Sequence, residues 1–460
     1  MSGQHLALVL AAGHGTRMRS KTPKILQRCA GKPLLLWAVE AATAAGARIV
    51  VVLSPELEAP GRELLASGTS GIIVAIQPQM KGTGDAVRAA LDATDARDGE
   101  AFVLYGDTPT LGAATLERLR TLRRERGAAV ALLTARVGTD NAYGRIVRNG
   151  AGDVERIVEA RLATAEERLL PESNLGAYAI DLAWLRTTIA TLVPNTTGEI
   201  FFTDVVAAAI AAGKRVAAFC TPDPTEGLGV NTQVELAAAE MVLRRRIRDR
   251  LMLEGVTFRD PESSVVDDTV RIAPDAIIER GCVLEGATSI GPDTRVGPYA
   301  ILRDTTVGAR CVVEASVLER ATLEDGVRIG PYSHLRPGAY LEEGVEMGNF
   351  GEVKASRLRR GTKMHHFSYV GDADVGERVN IGAGAITMNY DGANKNRTTI
   401  GNDAFIGSDT LLRAPITIGA GAVTGAGAVV TKDVAAGMLA VGMPARAIKK
   451  AVKPATKAKP

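Results

Sequence analysis

An aliphatic residue recurs at about every sixth position in the C-terminal part of the chain, from about residue 256 to 437, and we call this period the aliphatic beat. It is visible in segments such as "IGPDTR", "VGPYAI", "VGARCV", "IGPYSH" and "VGERVN", each beginning with Ile or Val. A six-residue period sustained over this length predicts a parallel β-helix, in which each hexad makes one short strand and a turn. Because each coil leaves its strand edges to the next coil, the unit is stable only as a stack. The period does not define the handedness of the helix.

The beat fails over "TMNYDGANKNRTT", between Ile381 and Ile400. A column of stacked coils cannot absorb a segment without the aliphatic period, so this stretch is predicted to leave the stack as a loop. Such loops either carry function or are tolerated decoration, and position alone leaves both interpretations open.

The first 230 residues follow a different pattern, in which short β-branched runs alternate with Ala-rich helical stretches. The strand candidates are "LALVLAAG", "RIVVVLS", "GIIVAIQ", "AFVLYGD" and "AAVALLTARV". Near-continuous apolar strands separated by helices predict an α/β fold with a doubly wound, mainly parallel sheet covered on both faces. The segment that follows, "TQVELAAAEMVLRRRIRDRLMLEG", has apolar residues at helical spacing and ends at Gly255. We therefore expect an α/β domain at 1–230, a linker helix at 231–255, the β-helix at 256–437, and an arm with a basic tail at 438–460.

Bulk properties exclude several classes of protein. The 460 residues exceed one ordinary domain, and a net charge of +3 is too small to indicate a general nucleic-acid binder. The four Cys have no CxxC spacing and suggest no disulfide framework, which favours a reducing compartment. We see neither a signal-peptide pattern nor an apolar run long enough to span a membrane, so a cytoplasmic location is expected. The terminal "KKAVKPATKAKP" is predicted to be a solvated tail.

The N-terminal section carries residues suited to a nucleotide. Gly13 and Gly15 directly follow the first predicted strand, where backbone N–H groups can approach a phosphate. Arg17 and, in "KTPK", Lys24 add positive charge nearby. The segment "QPQMKGTG" supplies Gln77 and small residues that suit recognition of a base by backbone and amide groups.

Two oxygen ligands predict a divalent cation at the same edge of the sheet. Asp107 ends a predicted strand in "LYGDTP", and Asn231 offers a neutral oxygen in "GLGVNT". Mg²⁺ often takes one or two protein oxygens and completes its shell with phosphates. Taken alone, Asp107 is equally compatible with a helix cap or a turn.

A second set of polar residues lies within the repeats. The chain has five His, and two of them, His365 and His366, are adjacent in "GTKMHHFSYVGDADVG". Alternation within a strand is expected to turn them to opposite faces. A lone surface His is usually solvated, but Arg336 in "HLRPG" and Lys354 in "NFGEVK" add two cations suited to a phosphate.

These motifs resemble a known family. "LAAGHGTRM", "KTPK", "GTG", "YGD", "YGRI", "IVE" and "GVN" are similar to the sugar-nucleotide pyrophosphorylases. Their order and spacing, followed by a hexapeptide β-helix, resemble over nearly the whole chain the bacterial family of bifunctional N-acetylglucosamine-1-phosphate uridyltransferases and glucosamine-1-phosphate acetyltransferases. The resemblance implies a left-handed β-helix, a homotrimer, and synthesis of UDP-N-acetylglucosamine, a precursor of peptidoglycan and lipopolysaccharide. The alternative is a glucose-1-phosphate nucleotidyltransferase whose β-helix regulates or trimerises, against which "HHFSYVGD" and "NYDG" argue.

The resemblance also implies roles for individual residues, with UTP, N-acetylglucosamine 1-phosphate, glucosamine 1-phosphate and acetyl-CoA as the small-molecule substrates. The nucleotide-sugar site comprises Leu10, Ala11, Ala12, Gly13, Lys24, Gln77, Gly82, Thr83, Tyr105, Gly106, Asp107, Gly144, Glu159, Asn174 and Asn231. Arg17 and Lys24 act on the phosphates, and Asp107 and Asn231 hold Mg²⁺. Glucosamine 1-phosphate is bound by Arg336, Lys354, Tyr369 and Asn380, and His366 is the catalytic base. Acetyl-CoA contacts Ala383, Asn389, Tyr390, Ser408 and Ala426.

The chain departs from the family pattern in three places. Leu175 replaces the usual Thr after Asn174, and Arg161 stands near the position of a usual Lys. In the C-terminal arm, Met443 stands where an Arg is usual, and Arg446, which lies beyond the Pro, is the candidate to contact CoA in its place.

Overall fold

The computed structural model of the protein describes residues 5–66, 71–138, 141–195 and 198–450. The chain divides into two compact units, Met1–Leu243 and Arg244–Pro460. The division falls inside one long helix, Gln233–Leu253, which corresponds to the predicted linker helix.

The first unit is built on a nine-stranded, mainly parallel sheet, as the sequence predicts. The strand Glu172–Asp181 runs antiparallel to its two long neighbours, and a hairpin extends from it. The path through the sheet is Val216–Thr221, Val130–Arg136, Glu172–Asp181, Glu100–Tyr105, His5–Leu10, Arg48–Leu53 and Ile73–Ile76, with Arg145–Arg148 and Val154–Val158 as the hairpin. A separate small ladder joins Arg28–Cys29 to Lys32–Pro33.

Helices cover both faces of this sheet. They are Leu34–Ala44, Glu58–Ala66, Thr83–Asp92, Ala113–Glu125, Ala165–Arg168, Leu182–Ile189 and Asp204–Ala211, with 3-10 turns at Thr16–Met18, Lys24–Leu26 and Pro55–Leu57. The sheet separates two buried clusters, and Leu6 and Leu8 of the central strand face one while Ala7 and Val9 face the other. This two-sided burial explains why the strand reads as a continuous apolar run.

The second unit is a stack of parallel strands with three faces. After Thr257–Phe258 and a 3-10 turn at Pro261–Ser263, the chain visits the three faces in turn. The first face continues with Ile277–Ile278, Arg295–Val296, Val312–Val313, Arg328–Ile329, Glu346–Met347, Lys363–Met364, Asn380–Ile381, Phe405–Ile406, Val423–Thr424, Met438–Gly442 and Ala445–Lys450. The second face contains Val265–Val266, Val283–Glu285, Ile301–Arg303, Val317–Glu319, His334–Leu335, Gly351–Lys354, Ser368–Gly371, Ile386–Met388, Leu411–Arg413 and Val429–Val430. The third face contains Arg271–Ile272, Ser289–Ile290, Thr306–Val307, Thr322–Leu323, Tyr340–Leu341, Arg357–Leu358, Ala373–Val375, Thr398–Ile400 and Ile416–Ile418.

The six-residue beat marks the inward side of this stack. Ile290, Val296, Val375 and Ile406 are all buried, because each is the last residue of its short strand and points into the column. Coils approach one another closely at some corners. A Cβ added at Gly348 would lie 1.9 Å from the carbonyl oxygen of His365, a position that only glycine fits.

The interruption of the beat is a loop, as predicted. Val375 pairs with Ile400, 25 residues further on, whereas Leu358 pairs with Val375 after 17. The extra residues lie at 389–397, between two strands of the stack, and are held by one isolated bridge between Tyr390 and Lys395.

The chain's last described strand, Ala445–Lys450, runs antiparallel to Met438–Gly442. Residues 451–460, which make up most of the predicted basic tail, lie outside the described residues. Among the helices described, none combines the length and the apolar character needed to cross a membrane.

Candidate active sites

A cavity of about 560 Å³ opens in the first unit, where the strands His5–Leu10 and Glu100–Tyr105 end. This volume is typical of a small-molecule site, and the carboxyl end of a parallel sheet is where such folds hold ligands. The predicted nucleotide-sugar residues that line it are Leu10, Ala11, Ala12, Gly13, Lys24, Gln77, Gly82, Thr83, Tyr105, Asp107, Gly144, Glu159, Asn174 and Asn231. Gly106 is not among the lining residues; its N–H donates to the carbonyl of Leu10, which fixes the turn beside it.

Two cations and two oxygen ligands meet in this cavity. The ammonium of Lys24 donates to Asp107 Oδ2 and, at 3.0 Å, to Asn231 Oδ1. Arg17 Nη2 donates to the same Asn231 oxygen at 2.9 Å. The four side chains come from three separate stretches of sequence, so the fold brings them together.

The same contacts test whether the cavity fits a divalent cation. Asp107 Oδ2 and Asn231 Oδ1 converge on one positive group, which here is the ammonium of Lys24. Within the described ranges, no cluster of three or more His, Cys, Asp or Glu side chains could hold a metal. One carboxylate and one amide oxygen nevertheless fit Mg²⁺ bound jointly with phosphates.

Gln77 lines the cavity and is held in place by hydrogen bonds. It is buried, and its Nε2 donates at 3.0 Å both to the carbonyl of Gly82 and to Asp85 Oδ2. Gly82 has a φ of +101°, and a Cβ there would lie 2.4 Å from the carbonyl oxygen of Ile200. The segment "GTG" therefore needs glycine at this position for backbone conformation and space.

Further hydrogen-bonding groups line the same cavity. Asn174 Nδ2 donates to Tyr178 Oη at 2.6 Å, and Asn174 Oδ1 accepts from the N–H of Gly176 at 3.1 Å. Glu159 accepts from Thr203 Oγ1 at 2.8 Å. Burial, reinforced by the Glu159 carboxylate, raises the pKa of Tyr105, so its phenol stays protonated and can donate.

Among the lining residues to which the sequence analysis assigned no role, three contact one another through Arg161. Arg161 pairs with Glu199 and stacks over the ring of Phe201, 4.7 Å from its centroid. Glu199 and Phe201 precede a helix in "TGEIFFTD", and neither matches a motif that the sequence reasoning used. Their pairing with Arg161 across 38 residues had no local signal.

A second cavity, of about 500 Å³, lies in the β-helix at a corner between its first and second faces. It is lined by His365, His366, Asn380, Ile381, Gly382, Ala383, Phe405, Gly407, Ser408, Val423, Thr424, Gly425 and Ala426. The prediction that His365 and His366 alternate within a strand is wrong. Both lie in the turn between Lys363–Met364 and Ser368–Gly371, because the coil changes face there. His365 Nε2 is 2.8 Å from Glu346 Oε2, and no side-chain partner is recorded for His366 among the described residues.

The remaining predicted acetyl-site residues form a separate cluster on the second face. Lys354 Nζ lies 3.6 Å from Asp372 Oδ2, and Arg336 Nη1 donates to Glu352 at 2.9 Å. Asn389 Nδ2 donates to Tyr369 Oη at 3.2 Å. Among the described residues, the cavity beside His366 is not lined by any member of this cluster.

The predicted acetyl-CoA contacts divide in the same way. Ala383, Ser408 and Ala426 line the cavity beside His366. Asn389 lies in the second-face cluster, and Tyr390 is exposed on the loop. Arg446 is exposed on the antiparallel strand of the arm, opposite Val441, and it does not line the cavity in the described part of the chain.

The fold and its two cavities define a nucleotidyltransferase joined to a hexapeptide-repeat transferase. The family described as MobA-like NTP transferase domain matches residues 7–175, and bacterial transferase hexapeptide repeats match residues 397–432. The protein named "Bifunctional protein GlmU" of Trichlorobacter lovleyi is 44% identical over 95% of both chains. Proteins of the same name from Sorangium cellulosum and Halalkalibacterium halodurans are 43% and 41% identical, each over 95% of this chain and over 93% and 95% of their own.

The chain therefore belongs to the family of bifunctional GlmU proteins. The resemblance seen in the sequence is confirmed, and with it both activities in the synthesis of UDP-N-acetylglucosamine, nucleotidyl transfer and acetyl transfer. The alternative of a single nucleotidyltransferase with a merely regulatory β-helix is not favoured.

Proposed function

We propose that the cavity of the first unit transfers UMP from UTP to N-acetylglucosamine 1-phosphate. The convergence of Arg17, Lys24, Asp107 and Asn231 is the observation that carries this assignment. A phosphate oxygen of the sugar attacks the α-phosphorus of UTP, and pyrophosphate leaves. Transfer of this kind depends on positioning and on neutralising charge, so it requires no nucleophilic side chain.

Mg²⁺ bound through Asp107 and Asn231 would supply part of that positive charge. The chain's own residues do the rest: Arg17 and Lys24 are placed to bind phosphate oxygens, and Gln77 to recognise the base. Glu159 and Asn174 lie where hydrogen bonds can orient the sugar.

Replacing Asp107, the carboxylate of the proposed metal pair, tests the assignment. Asp107→Ala should abolish Mg²⁺-dependent uridyl transfer and leave acetyl transfer intact, because the second cavity lies in the other compact unit. Both reactions are measured on one purified variant. Asp98→Ala, which removes an exposed carboxylate before the strand Glu100–Tyr105, is the control and should behave as wild type. Near-normal uridyl transfer by Asp107→Ala would refute the metal assignment.

We also propose that the β-helix acetylates glucosamine 1-phosphate with acetyl-CoA as donor, using His366 as base. Imidazole exchanges protons near pH 7, which suits removal of a proton from an ammonium as its nitrogen attacks a thioester. Both rings line the cavity, but His365 is held by Glu346, whereas His366 has no such side-chain partner among the described residues. Ala383, Ser408 and Ala426 would line the path of the donor.

If His366 is the base, His366→Ala should lower acetyl transfer by roughly 10²–10⁴-fold, the usual effect of a positioned acid–base group. Uridyl transfer should be unchanged. His365→Ala is the matched control because it removes the neighbouring ring from the same turn. An equal loss in both variants would indicate lost packing, and full activity of His366→Ala would refute its role.

We propose a homotrimer in which the acetyl site is completed between subunits. The support is the division described above: the His366 cavity and the cluster of Arg336, Lys354 and Tyr369 lie on different parts of one chain. Exposed aromatic residues, including Tyr332 and Phe350 stacked 5.6 Å apart, add apolar surface that a second copy can cover. Sedimentation equilibrium that gives a fully active, stable monomer would contradict the trimer.

The substrates of both reactions, UTP and acetyl-CoA, are metabolites of the cell interior, and we therefore propose that the enzyme acts in the cytoplasm. Fractionation of cells that produce it, with uridyl transfer as the readout, tests the location.

A further inference from the structure

Asp372, the last residue of "HHFSYVGD" and one to which the sequence assigned no role, lies in the second-face cluster. Its Oδ2 accepts from Asn389 Nδ2 and lies 3.6 Å from Lys354 Nζ. Its side chain is 22% exposed, and its backbone has a φ of +50°, which turns the chain out of the strand Ser368–Gly371. Asp372 thus contacts one residue of the proposed sugar-phosphate set and one of the proposed acetyl-donor set.

The contact with Asp372 decides which way the Asn389 amide faces. An ionised carboxylate only accepts hydrogen bonds, so Asn389 must present its NH₂ group to it. The same nitrogen donates to Tyr369 Oη at 3.2 Å, so both of its protons are used. Asn389 is buried, and its carbonyl oxygen is left as the group directed away from Asp372.

The neighbouring backbone is shaped for this arrangement. A Cβ added at Gly371 would lie 2.2 Å from Tyr369 Oη and 2.7 Å from Asn389 Nδ2, so a glycine is needed beside the two side chains. The N–H of Gly371 is bound by Thr387 Oγ1 at 2.8 Å, which ties this strand to the coil that carries Asn389. Asn389 is also the first residue of the loop 389–397, and its backbone carbonyl accepts from the N–H of Asn396 at 2.7 Å.

We propose that Asp372 is a positioning residue for acetyl transfer: it locks the Asn389 amide so that a hydrogen-bond acceptor, not a donor, faces the reacting groups in the acetyl site completed between subunits. An acceptor there suits an N–H of the amino sugar or of the donor's amide chain. The proposal rests on the proposed acetyl site, and it assigns Asp372 no contact with substrate. Without the lock the amide can flip, and the acceptor is replaced by an NH₂ group.

Asp372→Ala should lower kcat for acetyl transfer on the order of tenfold to a hundredfold, the scale of a misplaced catalytic group, with little change in the KM for glucosamine 1-phosphate. Asp372→Asn should recover most of the loss because its oxygen still accepts from Asn389. Gly371→Ala should lower kcat in the same direction by crowding the pair. Asp374→Ala is the control, since Asp374 is similarly exposed and is paired with Arg359 at 3.2 Å on the third face.

A double-mutant cycle separates this role from a structural one. In an Asn389→Ala background, Asp372→Ala should cause no further fall in kcat, because its effect passes through Asn389. An additive fall, or a rise in KM for the sugar phosphate without a change in kcat, would overturn the proposal and indicate action through Lys354. If Asn389→Ala loses activity and Asp372→Ala does not, the proposal alone falls. If Asn389→Ala is fully active, the proposed acetyl site falls with it.

Discussion

Lys24 occupies the place that the proposed Mg²⁺ would take, so we expect it to lower the affinity of the nucleotide-free protein for divalent cations. Its ammonium is bound to both Asp107 and Asn231, and its side chain is only 10% exposed. A divalent cation that reaches these oxygens in the nucleotide-free protein must first displace Lys24. Phosphates of a bound nucleotide remove that obstacle, because they offer Lys24 another anionic partner.

The size of the effect follows from the contacts that must be broken. A hydrogen bond to a charged group contributes about 1.5–3 kcal/mol, and each 1.4 kcal/mol corresponds to a tenfold change in affinity. Lys24→Met, which keeps the length and loses the charge, should therefore bind a divalent cation roughly tenfold to a hundredfold more tightly than wild type in the absence of nucleotide. Uridyl transfer by the same variant should fall, since the cation that binds phosphate is gone.

Mn²⁺ is a suitable probe, because free Mn²⁺ can be counted by electron paramagnetic resonance as protein is added. Lys21→Met is the matched control: it removes a Lys three residues earlier whose side chain is exposed. Asp107→Ala, combined with Lys24→Met, should abolish the gain. Equal Mn²⁺ affinities for wild type and Lys24→Met without nucleotide would show that Lys24 does not compete for the site.

Three further predictions concern other parts of the chain. Gly176→Ala places a Cβ 2.4 Å from the Tyr105 ring at a φ of +76°, and should destabilise the first unit by roughly 1–3 kcal/mol in thermal unfolding and reduce uridyl but not acetyl transfer; wild-type unfolding would contradict it. A fragment beginning at residue 233 should unfold at a higher temperature than one beginning at residue 250. The longer fragment keeps Arg244 paired with Asp267 at 3.3 Å and the buried Arg248 bonded to the carbonyl of Ser264 at 3.2 Å. Equal unfolding midpoints would show that these contacts are dispensable. The pKa of Asp391 is lowered to about 2 by hydrogen bonds from the backbone N–H groups of Asn394 and Ala393 and from the Asn396 amide. The stabilisation of the folded loop by this carboxylate is therefore present above the ordinary pKa of 3.8 and is lost as the pH falls through about 2. A carboxyl NMR titration with its midpoint at the ordinary value would refute the loop's hydrogen bonding.

The architecture was predictable because each unit has its own hydrophobic pattern in the sequence. The aliphatic beat fixes which residues point into the β-helix, and the apolar strands of the first section, such as His5–Leu10, are buried on both faces. The residues of the nucleotide cavity follow strand ends, so local motifs such as "YGD" placed them at one edge. The roles of these residues stay predictions.

The acetyl site was less accessible from sequence, because its contacts cross coils. The beat tells which residue points inward but not where the chain turns a corner, and so the turn at His365 and His366 was mistaken for a strand. Asp372 and Asn389 are 17 residues apart and meet only because the loop coil returns beside the strand Ser368–Gly371. Arg161 and Glu199 likewise meet only through the fold.

The stacking of coils fixes the spacing of side chains along the axis of the second unit. Leu335 pairs with Val353, and Lys354 pairs with Gly371, so Arg336, Lys354 and the Gly371 turn stand on successive coils. Neighbouring strands are about 4.8 Å apart, so the distance between these positions along the stack can change only in steps of one coil. A change of substrate size along this axis cannot be met by a shift of one or two residues, because such a shift would turn the aliphatic beat out of the column. Inserting or deleting a complete coil would instead change the spacing between Arg336, Lys354 and Gly371 by one inter-strand distance. The aliphatic residues of the other coils would still point into the column.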